Sequence, residues 1–324
     1  RPSVPRLSRL PPSISFSGAG FLGVYHAGAA DYLIGAGLLQ PTLAPGERAA
    51  QALLGSSAGA LIAASLRLGV RPEQVPAIAN PIARRASAEP LRALTPGFSL
   101  VDEMEPFLRE ATGEALRGTL GIAEGEELQP KADEFVRGVD GLQVYLTAPE
   151  PRAGLFSYSS HAFLDSFASL EHLLAATVLS SYVPVATGPL SPPPGSAVDR
   201  ACRLLSSTPM SRHPGGTLPP SPLWYDGGLA AMWPLLDDRT LIVSPLPVAH
   251  ARNVAICPPP SSPSLPAGGG VSVSLSAGAA RSARLMLQPV GEEEYEDIYR
   301  GAWEDARRVC REKGIAPAGE DLVR

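Results

Sequence analysis

Gly55-Ser56-Ser57-Ala58-Gly59 is the stretch whose residue types and spacing best fit catalysis. Gly-x-Ser-x-Gly is the spacing of a nucleophile elbow: the glycines permit a sharp strand-to-helix turn, and the turn holds one serine hydroxyl at its tip. The apolar pattern that follows reads as a helix, whose N-terminal dipole would face the point where negative charge develops in acyl transfer. The same residues also suit a plain Gly/Ser turn. A serine nucleophile needs two further things, a base and a set of oxyanion donors.

Gly18-Ala19-Gly20-Phe21-Leu22-Gly23 is the candidate for the donors. Glycine leaves backbone amides uncovered, which suits an oxyanion hole. The spacing also matches a dinucleotide fingerprint, but the acid that fingerprint wants about 20 residues on is absent, Glu47 being the nearest. A tight turn is the third reading. For the base there are five histidines, His26, His161, His172, His213 and His250, and one aspartate in a distinctive setting, Trp224-Tyr225-Asp226-Gly227-Gly228. A Ser57–Asp226–His250 triad has the chain order of α/β-hydrolases. Alternatively Asp226 contacts Ser57 directly. A free aspartate, at about 3.9, is a poor base at neutral pH, and burial beside aromatic residues raises it.

These candidates need elements to carry them. Ser13–Ser17 alternates as a strand and runs through the glycine turn into a helix over Val24–Gly37. A helix follows the elbow to Gly69, and another begins at Arg71-Pro72-Glu73 and ends near Arg85. Phe98–Leu116 is amphipathic, with a kink or restart expected at Pro106. Leu142–Thr147 reads as a strand, Leu170–Ser180 as a helix, Thr240–Ser244 and Val254–Cys257 as strands, and Glu292–Lys313 as a helix with acids first and bases last. Strands alternating with helices imply a mostly parallel sheet covered on both faces, with the site beyond the carboxyl ends of the strands. Ser191–Pro222 and Pro258–Ser282 are rich in Pro, Ser and Gly and read as long insertion loops.

Composition narrows the partners. The chain of 324 residues is 44% hydrophobic and carries a formal net charge of -5, which suits a packed core and argues against nucleic acid as the main partner. Cys202, Cys257 and Cys310 offer neither a disulfide framework nor zinc spacing, as in an intracellular, cytoplasmic setting. No apolar run reaches the roughly 18 residues of a spanning helix, so membrane contact would be peripheral. Arg1–Pro12 is basic and acid-free and reads as a disordered lead-in; because the sequence starts at Arg1, organelle targeting stays open.

Together the blocks resemble the patatin-like phospholipase family, and within it the subgroup of adipose triglyceride lipase and adiponutrin. Ser15–Gly28, Gly55–Leu61, Ser180–Val185, Tyr225–Gly228 with Thr240–Pro245, and Tyr299–Trp303 are similar to that subgroup's successive blocks. The resemblance implies a single three-layer α/β/α patatin-like domain over 13–324. It implies a Ser–Asp dyad of Ser57 and Asp226 without a catalytic histidine, and oxyanion donors at Gly18, Ala19 and Gly20. It requires no cofactor and no metal. It implies a lipase or phospholipase acting on a glycerolipid at a membrane or lipid-droplet surface, with a protein co-activator as a candidate partner. A lipid transacylase and a catalytically weak lipid-binding protein are the alternatives. One departure stands out: Trp233 falls near the position where the family has an asparagine after Asp-Gly-Gly.

Overall fold

The computed structural model describes residues 10–44, 46–89, 91, 95, 98–149, 158–211, 217–218, 224–250, 252–259, 264–268, 271–274, 284–286 and 288–315. The lead-in up to residue 9 and His213 lie outside them. Strand β1 (Ser13–Phe16) leads into helix α1 (Gly23–Gly35), and β2 (Ala52–Ser56) into α2 (Ala58–Arg67). Helices α3 (Val75–Ala88), α4 (Leu100–Leu120) and α5 (Gln129–Arg137) precede β3 (Leu142–Pro149) and β4 (Tyr158–Leu164). Then come α6 (Leu170–Ser180), α7 (Ala197–Leu205), β5 (Met210–Ser211), β6 (Thr217–Leu218), β7 (Tyr225–Asp226) and α8 (Gly228–Ala231). Strands β8 (Leu241–Val243), β9 (Val248–His250), β10 (Ala255–Ile256), β11 (Ser264–Gly268) and β12 (Val271–Ser274) lead to the last helix, α9 (Glu292–Glu312).

The central sheet is mixed, in the order β10-β8-β1-β2-β3-β4-β5-β6, with β7 also paired to β3. The run from β10 to β3 is wholly parallel; the strands beyond it are antiparallel. Period-two alternation divides the side chains between the faces. Leu53 and Val144 enter the main core with residues of α1, α2 and α6, whereas Leu54, Tyr145 and Phe163 form a smaller cluster with Ala231 of α8. Register then sets the site. Phe16 pairs with Gly55, Ser56 with Tyr145 and Leu146 with Asp226. The ends of β1 and β2 are therefore level, and Asp226 arrives one step beyond Ser56 across β3.

Several expectations change. Helix α4 runs uninterrupted through Pro106 rather than restarting there. Its N-terminus is fixed by Ser99, whose hydroxyl accepts from the Asp102 amide at 3.3 Å. The stretch 191–222 is not only a loop: it contains α7, capped by Ser196 and anchored by buried Val198, Ala201 and Leu205, one apolar face at helical spacing. Within 258–282, β11 and β12 form an antiparallel hairpin that extends β9 into a second, three-stranded sheet. No helix among the described residues is long and apolar enough to cross a membrane.

Candidate active site

Ser57 stands between β2 and α2 with φ 54° and ψ -131°. A non-glycine residue in that region is strained, and such strain persists only where surrounding structure enforces it. The enforcement is steric and polar. A Cβ on Gly55 would lie 2.4 Å from the Gly59 carbonyl oxygen, and one on Gly59 would lie 2.1 Å from that of Phe16. Only glycine at both places lets α2 start so close to its own strand and to β1. The Ser57 amide donates to Ser180 Oγ at 3.0 Å, and that hydroxyl in turn donates to the Tyr145 carbonyl at 2.6 Å. Ser56 is fully buried, with its hydroxyl donating to the Met232 carbonyl at 3.2 Å, so Ser57 is the serine at the tip.

Asp226 is only 4% exposed and closes against this turn. Its amide donates to the Tyr182 carbonyl at 2.9 Å, and Thr147 Oγ1 donates to its carbonyl at 2.6 Å. The Gly227 amide donates to the Ser180 carbonyl at 3.1 Å, so Ser180 touches both the elbow and the aspartate turn. The Gly228 amide donates to Asp226 Oδ1 at 2.7 Å, and the Ser57 side chain is near enough to the carboxyl to lower its pKa. Burial pushes this carboxyl up from the ordinary 3.8 to about 7, against the downward pull of the Ser57 and Gly228 hydrogen bonds. A carboxylate so placed can accept a proton near neutral pH.

The glycine loop after β1 narrows the expected donor set. The Gly18 amide donates to the Met232 carbonyl at 3.0 Å, and the Ser17 carbonyl of the same peptide accepts from His26 Nε2 at 2.8 Å. With both its polar groups occupied, that peptide offers no donor here. Of the three expected residues, Ala19 and Gly20 keep amides without an acceptor among the described residues. His26 is fully buried, and burial lowers it to about 4, so it is neutral and clamps the loop through one tautomer. Of the other histidines, His161, His172 and His250 fall within the described residues. His250 sits on β9 in the second sheet, paired with Val271 of β12. His172 accepts from the Ala168 amide and bonds Thr208. His161 lies on β4, opposite Thr147.

Trp233 has a supporting contact of its own, donating from Nε1 to Ser244 Oγ at 3.2 Å. The residue before it, Met232, uses its carbonyl to hold both Gly18 and Ser56. Neither Met232 nor Ser180 carries a motif signal of its own for these roles; Ser180 falls inside the Ser180–Val185 block, which is the one hint the sequence holds. An apolar cleft of about 130 Å³ opens against Gly20 and Ala58 and continues between α2, α3 and α4.

A family model described as patatin-like phospholipase matches residues 14–238. Human patatin-like phospholipase domain-containing protein 2 is 29% identical over 77% of this chain and 38% of its own length. Human 1-acylglycerol-3-phosphate O-acyltransferase PNPLA3 is 26% identical over 72% of this chain and 37% of its own. Human omega-hydroxyceramide transacylase is 29% identical over 56% of this chain and 28% of its own. The matched region thus spans well under half of each relative.

Proposed function

The chain belongs to the patatin-like phospholipase family, and from that premise we propose that it is a serine lipid acyl hydrolase working through Ser57 and Asp226. One observation carries the reading: the strained serine of the elbow has a buried aspartate, raised to about 7, as its side-chain partner. Ser57 Oγ adds to the acyl carbonyl carbon as its proton passes to Asp226. The carbonyl oxygen takes the negative charge, held by the Ala19 and Gly20 amides and the N-terminus of α2. The intermediate collapses to an acyl-enzyme, and Asp226 returns the proton to the departing alcohol. Water then repeats the sequence and frees the acid. The neutral glycerolipids and phospholipids of a membrane or droplet surface are the substrate class.

Purified protein exposed to a fluorophosphonate probe in mixed micelles tests this. Covalent labelling and ester hydrolysis are expected in the wild type, neither in Ser57→Ala, and labelling reduced by 100-fold or more in Asp226→Asn, while His250→Ala retains both. A folded wild-type protein that neither labels nor hydrolyses lipid esters is not this enzyme. Loss of activity in a folded His250→Ala would restore the triad. Two of the relatives named above carry acyl transfer in their names, which is consistent with a second acceptor besides water. Product analysis with a glycerolipid or ceramide alcohol present separates transfer from hydrolysis.

A further inference from the structure

Of the blocks singled out in the sequence, Tyr299–Trp303 takes no part in the proposed dyad, and it lies beyond residue 238, where the match to the family model ends. It stands in the middle of α9, which buries Tyr295, Tyr299, Ala302 and Ala306 along one face at helical spacing. That face meets α1 at very short range. A Cβ on Gly28 of α1 would lie 2.0 Å from the Tyr299 carbonyl oxygen, so only glycine admits the crossing. One turn further along each helix, Tyr32 meets Trp303 edge-on, with ring centroids 5.2 Å apart.

A third contact between the two helices is polar. Tyr25 Oη donates to Asp305 Oδ2 at 2.9 Å, and burial raises Tyr25 well above its ordinary 10, so the hydroxyl stays a donor. Arg308 donates to Asp305 Oδ1 at 2.9 Å and to the Cys257 carbonyl at 3.0 Å, which ties the carboxylate to the residue after β10. Tyr25 stands in the first turn of α1, beside His26, whose Nε2 bonds the Ser17 carbonyl. The start of α1 is thus pinned twice, to the glycine loop by His26 and to α9 by Tyr25.

The residues that lead into α9 touch the loop itself. A Cβ on Gly20 would lie 2.0 Å from the Met286 carbonyl oxygen, and Leu285, Met286 and Ile298 pack on Ala19, Leu22 and Ala58. Ala19 and Gly20 carry the two amides that have no acceptor among the described residues. Donors kept open for a developing charge are not fixed by a hydrogen bond of their own, so their direction depends on what stands behind them. We propose that α9 and residues 284–286 brace the oxyanion loop, with Tyr25 and Asp305 as positioning residues that keep the Ala19 and Gly20 amides aimed at the site beside Ser57. The inference rests on the hydrolase reading for the use of those amides, whereas the brace itself can be measured without turnover.

Hydrogen exchange read by mass spectrometry measures the brace in the whole chain. In Tyr25→Phe and Asp305→Ala, residues 18–23 should exchange about fivefold faster than in wild type, and β3 at an unchanged rate. Asp305→Asn keeps an oxygen that can accept from Tyr25 and should restore most of the protection. Leu285→Ala combined with Met286→Ala, both at partly exposed positions, should loosen the same loop with the hydrogen bond intact. On a dissolved butyrate ester, kcat should fall about tenfold in Tyr25→Phe, Asp305→Ala and the double variant, with KM changed by less than about twofold. Asp305→Asn should keep kcat within about threefold of wild type. Circular dichroism establishes folding, and the double variant decides should Asp305→Ala fail to fold. Unchanged exchange at residues 18–23 in the folded variants overturns the proposal, as does equal loss of kcat in the Asn and Ala variants of Asp305, or faster exchange in the loop and β3 alike. A loop that loosens as expected in a protein without Ser57-dependent hydrolysis upholds the brace and rejects the hydrolase reading instead.

Discussion

In the proposed dyad, burial suits Asp226 to act as a base near neutral pH, and the same burial destabilises the fold when the group ionises. Its carboxyl titrates at about 7 in the folded chain against an ordinary 3.8, so folding takes up a proton between those values. Stability associated with this group is therefore complete below about 3.8 and falls as pH rises through 7. The full effect is on the order of 4 kcal/mol at alkaline pH. Asp226→Asn should accordingly unfold at higher denaturant than wild type at pH 8, with the gap shrinking towards pH 4, while remaining inactive. A gap that does not vary with pH would mean that Asp226 titrates normally. The wild-type kcat/KM should rise with pH through an apparent pKa near 7, since the base must be deprotonated to act.

Ser180 is the other residue whose chemistry can be tested directly. Its hydroxyl satisfies the Ser57 amide and the Tyr145 carbonyl together, so Ser180→Ala leaves two groups unpaired. Each unpaired buried group costs about 1–3 kcal/mol. We expect thermal stability to fall, kcat to drop at least tenfold with a smaller change in KM, and Ser180→Cys to recover part of kcat. Equal loss in the Ala and Cys variants would reduce Ser180 to a packing residue. Sequence reading singles out Ser57 and Asp226 as candidates because each lies in a short contiguous motif. It gives Ser180 and Met232 no role because each acts through a hydrogen bond to residues distant in the chain, which leaves no spacing to detect.

At the level of elements, periodicity makes β1, β2, β3, α1, α6 and α9 legible, since each buries one continuous pattern. Helix α7 escapes because prolines and serines on both sides dilute the window, although Val198, Ala201 and Leu205 keep helical spacing. Strands β11 and β12 escape because Pro266, Gly268 and the glycines between the two strands make the stretch resemble a linker, although Val271 and Val273 of β12 alternate; pairing of β12 with β9 and β11 completes the sheet. The join between elements is where glycine is indispensable. Gly59→Ala would drive a Cβ to 2.1 Å from the Phe16 carbonyl, pushing α2 off β1, and should cost 2 kcal/mol or about that, together with activity. A Cβ added at Gly113, inside α4, would meet only Leu128 Cδ2 among the described residues, at 3.6 Å. Gly113→Ala should instead stabilise the chain by about 0.5–1 kcal/mol. Equilibrium unfolding in urea compares the two; a mild Gly59→Ala would mean that α2 and β1 can separate without harm.

On the scale of the whole molecule, the proposed function raises the question of how a chain of net charge -5 would meet lipid. With that charge, the proposed contact would draw on apolar surface rather than on attraction to anionic headgroups. Leu91, Val185 and Leu190 are each more than 60% exposed. Two of the three belong to the turn after α6, where the Tyr182 carbonyl holds the Asp226 amide and the Thr187 carbonyl accepts from the Val101 amide of α4. That turn ties the aspartate to the helix lining the cleft. Val185 holds φ 73°, an unfavourable conformation for a β-branched residue, while keeping its side chain in solvent. Transfer of such a side chain into lipid is worth about 1–2 kcal/mol at this exposure. Val185→Ser combined with Leu190→Ser should therefore lower hydrolysis of emulsified triolein by tenfold or more and leave hydrolysis of a dissolved butyrate ester within twofold. Adding anionic phospholipid to the emulsion should not raise the wild-type rate. Equal loss on emulsion and dissolved ester would mean that the turn acts on Asp226 and not on the lipid surface.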